Sequence, residues 1–133
     1  MVIACAGLQQ QELKEANNMA KPLDVLKSLE RMAQKEFVPS IGQIKGRIIT
    51  EIVQNYKPTI MIEVGTLYGY SAILMATAAA ADTLQAGEGK VVTIEIDRSV
   101  ADIARKNVAD AGLSEKINVI VGDALKFPIL PRR

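Results

Sequence analysis

Apolar positions recur along this chain at helical spacing in some stretches and as short β-branched runs in others, and the changes of rhythm mark out its elements. Leu23, Leu26, Leu29 or Glu30, and Ala33 predict a helix over 22–36 with one apolar face, opened by Pro22 in its first turn. Phe37-Val38-Pro39-Ser40-Ile41-Gly42 interrupts it, because Pro39 restricts its predecessor to extended geometry and Gly42 loosens the backbone after it. A second helix is predicted to about Tyr56, with Ile44, Ile48, Ile52 and Tyr56 in one row and Ile49 and Val53 beside it, and Lys57-Pro58 stops it.

Three runs read as strands, over 59–64, 90–96 and 117–121. The first carries charge only at its end, as expected of a strand covered on both faces in a parallel sheet. Between the runs lie an Ala-rich helix over 71–81, a loop through Gly87-Glu88-Gly89, and a helix capped by Asp97 or Ser99 and ended by Ala111-Gly112. The order β-α-β-α-β with short links predicts an α/β fold, the N-terminal half of a doubly wound parallel sheet with strand order 3-2-1, preceded by helices. Residues 1–21 form a separate leading segment, since Gln9–Asn18 is polar with Leu13 as its only large apolar residue, a solvated helix or a mobile arm. Residues 22–133 form the folded domain. After Gly122-Asp123-Ala124 only nine residues remain, two of them proline, so little regular structure is expected there. The outer edge of strand one is then left open, an apolar template for association.

Composition narrows the chemistry. The chain has 133 residues, enough for one domain with a real core, and with five aromatics and no Trp that core is aliphatic. Sixteen Lys and Arg against fifteen Asp and Glu, scattered except for Arg132-Arg133, suggest neither nucleic acid nor a membrane surface as partner. With no His, the usual zinc site and a Ser-His-Asp arrangement are excluded, and Cys5, the single cysteine, lacks a His base and an intramolecular disulfide partner. Met1–Leu8 is far shorter than the ~20 residues of a spanning helix and lacks the basic flank of a secretory signal, so a cytoplasmic protein is expected.

One stretch stands apart, Glu63-Val64-Gly65-Thr66-Leu67-Tyr68-Gly69-Tyr70-Ser71, at a strand-to-helix turn. Gly65 and Gly69 let the backbone bend and approach a ligand, the helix start aims free N–H groups into the turn, and Glu63 at the strand end offers a place for a cation. Its glycine spacing departs from G-x-G-x-x-G, which disfavours a dinucleotide.

Together with Lys45-Gly46-Arg47-Ile48, Lys57-Pro58, the run Val91 to Asp97 and Val121-Gly122-Asp123-Ala124, this stretch resembles class I S-adenosylmethionine-dependent methyltransferases of the catechol O-methyltransferase type, over roughly residues 22–125. The resemblance implies a Rossmann-like sheet, S-adenosylmethionine as cofactor and a small hydroxyl-bearing acceptor. It places Glu63, Gly65 and Ser71 at the amino-acid end of the cofactor, Glu95 on the ribose hydroxyls, Ile96 and Asp97 beside the adenine, Asp123 and Ala124 at its edge, and Ser40 and Ile41 over the methionine part. Tyr70 packs over the ligand or contributes to the core, and Asp97 and Ser99 serve the cofactor or simply cap a helix. Leu67 stands where the catechol enzymes usually show Tyr, and Pro39 where they carry Met, which leaves the acceptor open. In those relatives a magnesium ion and a Lys base act from positions after strands four and five; no residue here matches them, so no metal ligand and no catalytic residue is assigned. The expectation is the cofactor-binding half of an O-methyltransferase, truncated after strand three and completed by a second chain, a second copy or a longer gene product through the edge of strand one. The competing reading is a non-catalytic half-domain that self-associates there and binds the cofactor weakly or not at all.

Overall fold

Short β-branched runs separated by helices have one low-energy way to pair, side by side and parallel with each helix crossing over the sheet. In a computed structural model, which describes residues 3–81 and 89–127, the chain does this. Its elements are α1 (Ile3–Glu36), α2 (Gly42–Tyr56), β1 (Ile60–Val64), α3 (Tyr70–Ala80), β2 (Lys90–Glu95), α4 (Arg98–Asp110) and β3 (Ile117–Val121), followed by a 3-10 turn over Ala124–Lys126. The strands are parallel in the order β1-β2-β3, as predicted, and the register sets Glu63 beside Thr93 and Glu95 beside Val121.

The two-residue period of the strands divides the sheet. Met61, Val91, Thr93, Ile117 and Val119 are buried on the face packed by α3 and α4, where Ala72, Ile73, Ala76, Ala101 and Ala104 allow close approach. Ile60, Ile62 and Val64 alternate with them and are 63%, 52% and 68% exposed. The expectation that strand one is covered on both faces is therefore corrected. Both βα crossovers step in the same direction across the sheet, so their helices share one face.

A further correction concerns the start of α1, and α2 shows which of its rows meets the core. α1 is continuous through Pro22, where a helix start was predicted, and the polar segment before it is helical, with Leu13 exposed. Proline inside a helix forfeits one backbone hydrogen bond. Here Pro22 is buried in the stripe that continues with Leu26 and Leu29, at helical spacing, while Leu23 faces outward. In α2 the row Ile44, Ile48, Ile52 and Tyr56 is the exposed one, and Gly46 and Val53 face the core. A Cβ at Gly46 would stand 3.0 Å from Leu74 Cδ2, so the absent side chain sets which face of α2 meets α3.

Among the described residues no helix is long and apolar enough to cross a membrane. The readings on Cys5 and the other side chains of Met1–Leu8, on Gly87-Glu88 and on the tail 128–133 lie outside the described residues.

Candidate cofactor site

The turn between β1 and α3 is shaped by backbone conformations that most residues avoid. Gly65 (φ +89°) and Gly69 (φ +88°) are left-handed, and so is Leu67 (φ +51°). Gly65 extends the ladder, its N–H donating to the Ile94 carbonyl at 2.8 Å, and Gly69 N–H closes the turn onto the Thr66 carbonyl at 2.9 Å. Asn107 of α4 holds the Tyr68 carbonyl through its side-chain amide at 2.9 Å. Gly69 occupies the N-cap of α3 without a side-chain cap, so the first N–H groups of α3 face the turn region with no side chain closing over them.

Glu95, at the end of β2, braces this loop. One carboxylate oxygen accepts from Leu67 N–H at 2.9 Å and the other from Asp97 N–H at 3.1 Å. These bonds offset part of the strain at Leu67 and leave each oxygen a further lone pair for a ligand hydroxyl.

Glu63 sits one strand over. It accepts from Ser71 Oγ of α3 at one oxygen and from Thr93 Oγ1 of β2 at the other, the latter at 2.6 Å. Burial pushes its carboxyl above the ordinary 4.5, with the Ser71 and Thr93 hydroxyls pulling the other way. Thr93 is also 2.6 Å from Thr66 Oγ1, and both threonines are buried.

Five of the residues assigned from the resemblance, Ser40, Ile41, Gly65, Tyr70 and Ser71, line a single cavity of about 80 Å³ beside this turn, closed by the Val38-Pro39 segment and by Leu29 and Met32 of α1. The volume suits a short aliphatic or amino-acid tail and is small for a whole nucleoside. Tyr70 has a second role. Its hydroxyl donates to Glu30 of α1 at 2.6 Å, and Gln43 of α2 donates to the other Glu30 oxygen at 2.7 Å, so Glu30 joins the first three helices. Burial, and then the Glu30 carboxylate, push the Tyr70 hydroxyl far above the usual phenol range.

The remaining assigned residues lie at the tips of β2 and β3, which Gly122 N–H joins by bonding the Glu95 carbonyl at 2.8 Å. Ile96 is exposed. Asp97 caps α4, accepting from Ser99 N–H at 2.8 Å, Ser99 Oγ at 2.6 Å and Val100 N–H at 3.2 Å. The Ser99 hydroxyl, then the Val100 and Ser99 N–H groups, hold its carboxyl below the ordinary range. Asp123 accepts from Leu125 N–H at 3.0 Å and caps the 3-10 turn that contains Ala124. Glu30, Thr66 and Thr93 were not singled out in the sequence. Thr93 carried a signal, since a polar residue within the apolar run of β2 shares a face with Val91 and Glu95. Among the described residues no group of three or more His, Cys, Asp or Glu could hold a metal ion.

A parallel sheet with an acid near the end of each of two neighbouring strands, and a glycine-bounded strand-to-helix turn between them, defines a Rossmann-like α/β domain. The chain belongs to the O-methyltransferase family, whose profile matches residues 16–128. It is 30% identical over 118 residues to catechol O-methyltransferase of Mus musculus, covering 86% of this chain and 42% of that protein. It is 32% identical over 105 residues to the human transmembrane O-methyltransferase, covering 77% of this chain and 34% of that one. Among solved structures, the O-methyltransferase from Bacillus cereus in complex with SAH superimposes with a TM-score of 0.64 at 30% identity, over 77% of this chain and 44% of that one. TomG from Streptomyces achromogenes, in complex with SAM, does so with a TM-score of 0.66 at 28% identity, over 81% and 47%. The chain thus spans less than half the length of these relatives.

Proposed function

We propose that this chain is the S-adenosylmethionine-binding half of an O-methyltransferase of catechol type. The observation that carries the reading is the pair Glu63 and Glu95, on adjacent parallel strands, flanking a turn whose helix start bears no side-chain cap. The cofactor supplies a methyl group on a sulfonium, open to displacement by a hydroxyl oxygen of a small acceptor. The protein's part is to bind and orient. Glu63 meets the ammonium, the N–H groups at the start of α3 meet the carboxylate, and Ser40 and Ile41 close over the methionine chain. Glu95 accepts from the ribose hydroxyls with the lone pairs that Leu67 and Asp97 leave free, while Ile96, Asp97, Asp123 and Ala124 border the adenine. SAH in the Bacillus cereus relative and SAM in TomG support this assignment. Catalysis of this kind rests on orientation. Among the described residues no group of three or more His, Cys, Asp or Glu is placed to hold the magnesium that the resemblance implies.

The acceptor half is supplied by a further polypeptide, either a second chain, a second copy or the rest of a longer product, which adds to the open edge of β1 and covers Ile60, Ile62 and Val64. The exposure of those three side chains supports this reading, and equally a half-domain that only self-associates. A cytoplasmic setting belongs to the same proposal and agrees with a single cysteine.

Calorimetry with S-adenosylhomocysteine and NAD separates the readings. Binding of the first alone is expected, weakened at least about tenfold by Glu95→Ala, as loss of charge-assisted hydrogen bonds of ~1.5–3 kcal/mol requires. Unchanged affinity in that variant removes Glu95 from the site, and no binding by the unaltered chain leaves the self-associating half-domain.

A further inference from the structure

Thr93 is fully buried in the middle of the central strand, and Thr66 in the turn is 1% exposed, so both hydroxyls must find their partners inside the protein. A hydroxyl has one proton to give, and an ionised carboxylate has none. Thr93 Oγ1 donates to Glu63 at 2.6 Å, which commits its proton. The contact of 2.6 Å between Thr66 and Thr93 then has a single sense, with Thr66 donating and Thr93 accepting. Ser71 gives its own proton to the other oxygen of Glu63. The carboxylate is therefore held from two elements at once, by β2 through Thr93 and by α3 through Ser71, and the β2 contact is oriented from behind by Thr66.

We infer that Thr93 is a positioning residue for the cofactor's amino-acid end, the middle member of a one-way hydroxyl chain from Thr66 to Thr93 to Glu63 that fixes the carboxylate facing the ammonium. The inference rests on the proposed cofactor reading and adds two residues to it. Valine is nearly isosteric with threonine, so Thr93→Val removes the donor to Glu63 and the acceptor of Thr66 with little change of volume. Thr66→Val leaves both donors to Glu63 in place.

The test is titration of Thr93→Val, Thr93→Ser and Thr66→Val with S-adenosylhomocysteine and with 5′-methylthioadenosine, which keeps the ribose and adenine but lacks the amino-acid end, alongside urea unfolding of each variant. Thr93→Val is expected to lose about tenfold in affinity for S-adenosylhomocysteine while binding 5′-methylthioadenosine within about twofold of the unaltered chain. Thr93→Ser should recover most of the loss, and Thr66→Val should lose distinctly less than Thr93→Val. Equal losses for both nucleosides, or no loss at all, overturn the positioning role. If the unaltered chain binds neither nucleoside, the cofactor reading fails and the ligand role of Thr93 fails with it. The hydroxyl chain is then decided by unfolding alone. Thr93→Val must shift the unfolding equilibrium more than Thr66→Val, and a Glu63→Gln background must shrink that difference. Identical shifts in the two valine variants overturn the one-way order.

Discussion

The seam between β1 and β2 and the outward-facing apolar positions of β1 and α2 solve opposite problems. In the seam, Glu63, Thr66 and Thr93 are taken partly or wholly out of water, and each polar atom named above meets a partner supplied by this chain. At the outward-facing positions, Ile44, Ile48, Ile52, Ile60, Ile62 and Val64 are each at least half exposed. The seam is complete by itself. β1 leaves an edge and an apolar sheet face in water, and α2 leaves an apolar row in water on a helix that packs against α3.

The contrast is broken most severely at β1. Replacing Ile60 and Ile62 together by Lys should abolish the association proposed through β1, since burying each isoleucine is worth about 1.5–3 kcal/mol. Sedimentation at several concentrations reads this, and a double variant that associates like the unaltered chain would show that β1 is not the contact. Next in size is the turn. Gly69→Ala forces a Cβ into a left-handed conformation and should cost about 1–2 kcal/mol in urea unfolding, with no steric help needed, because the new atom lies at an ordinary 3.6 Å from Ala104 Cβ.

Smaller effects come from titration. The Glu63 carboxyl is raised in the folded chain, so ionising it costs folded-state stability. The unliganded protein is relieved of this below pH 4.5 and loses stability as pH rises through the folded value. Glu63→Gln should flatten that dependence in thermal melts at several pH values, and a variant with the same pH profile as the unaltered chain would exclude Glu63 as its source. Asp97 behaves in the opposite sense. Its lowered carboxyl stabilises the fold above the ordinary 3.8 and stops doing so as pH falls through the folded value, so Asp97→Ala should lower Tm slightly near neutral pH and hardly at all in strong acid.

Much of the fold was legible because its signals are local. The strands over 60–64, 90–95 and 117–121, the helix after the glycine turn and the cap at Asp97 fall where β-branched runs, Gly65, Gly69 and the capping side chain put them. Pro22 misled because its usual place at a helix start is a statement about unpaired N–H groups. The core accepted the buried ring and the helix ran on. The isoleucines of α2 show a different limit, since periodicity identifies an apolar row without saying whether this chain covers it.

The amino-acid sequence by itself determined which segments become strands and helices, that the chain turns sharply between Gly65 and Gly69, and which acids end up near the strand tips, since each is set by residues a few positions apart. Only the tertiary structure decided that Thr93 stands beside Glu63, that Tyr70 gives its hydroxyl to Glu30, and that α2 meets α3 through Gly46. Those contacts join residues distant along the chain. They depend on strand register and helix approach, which packing sets and no short-range pattern records.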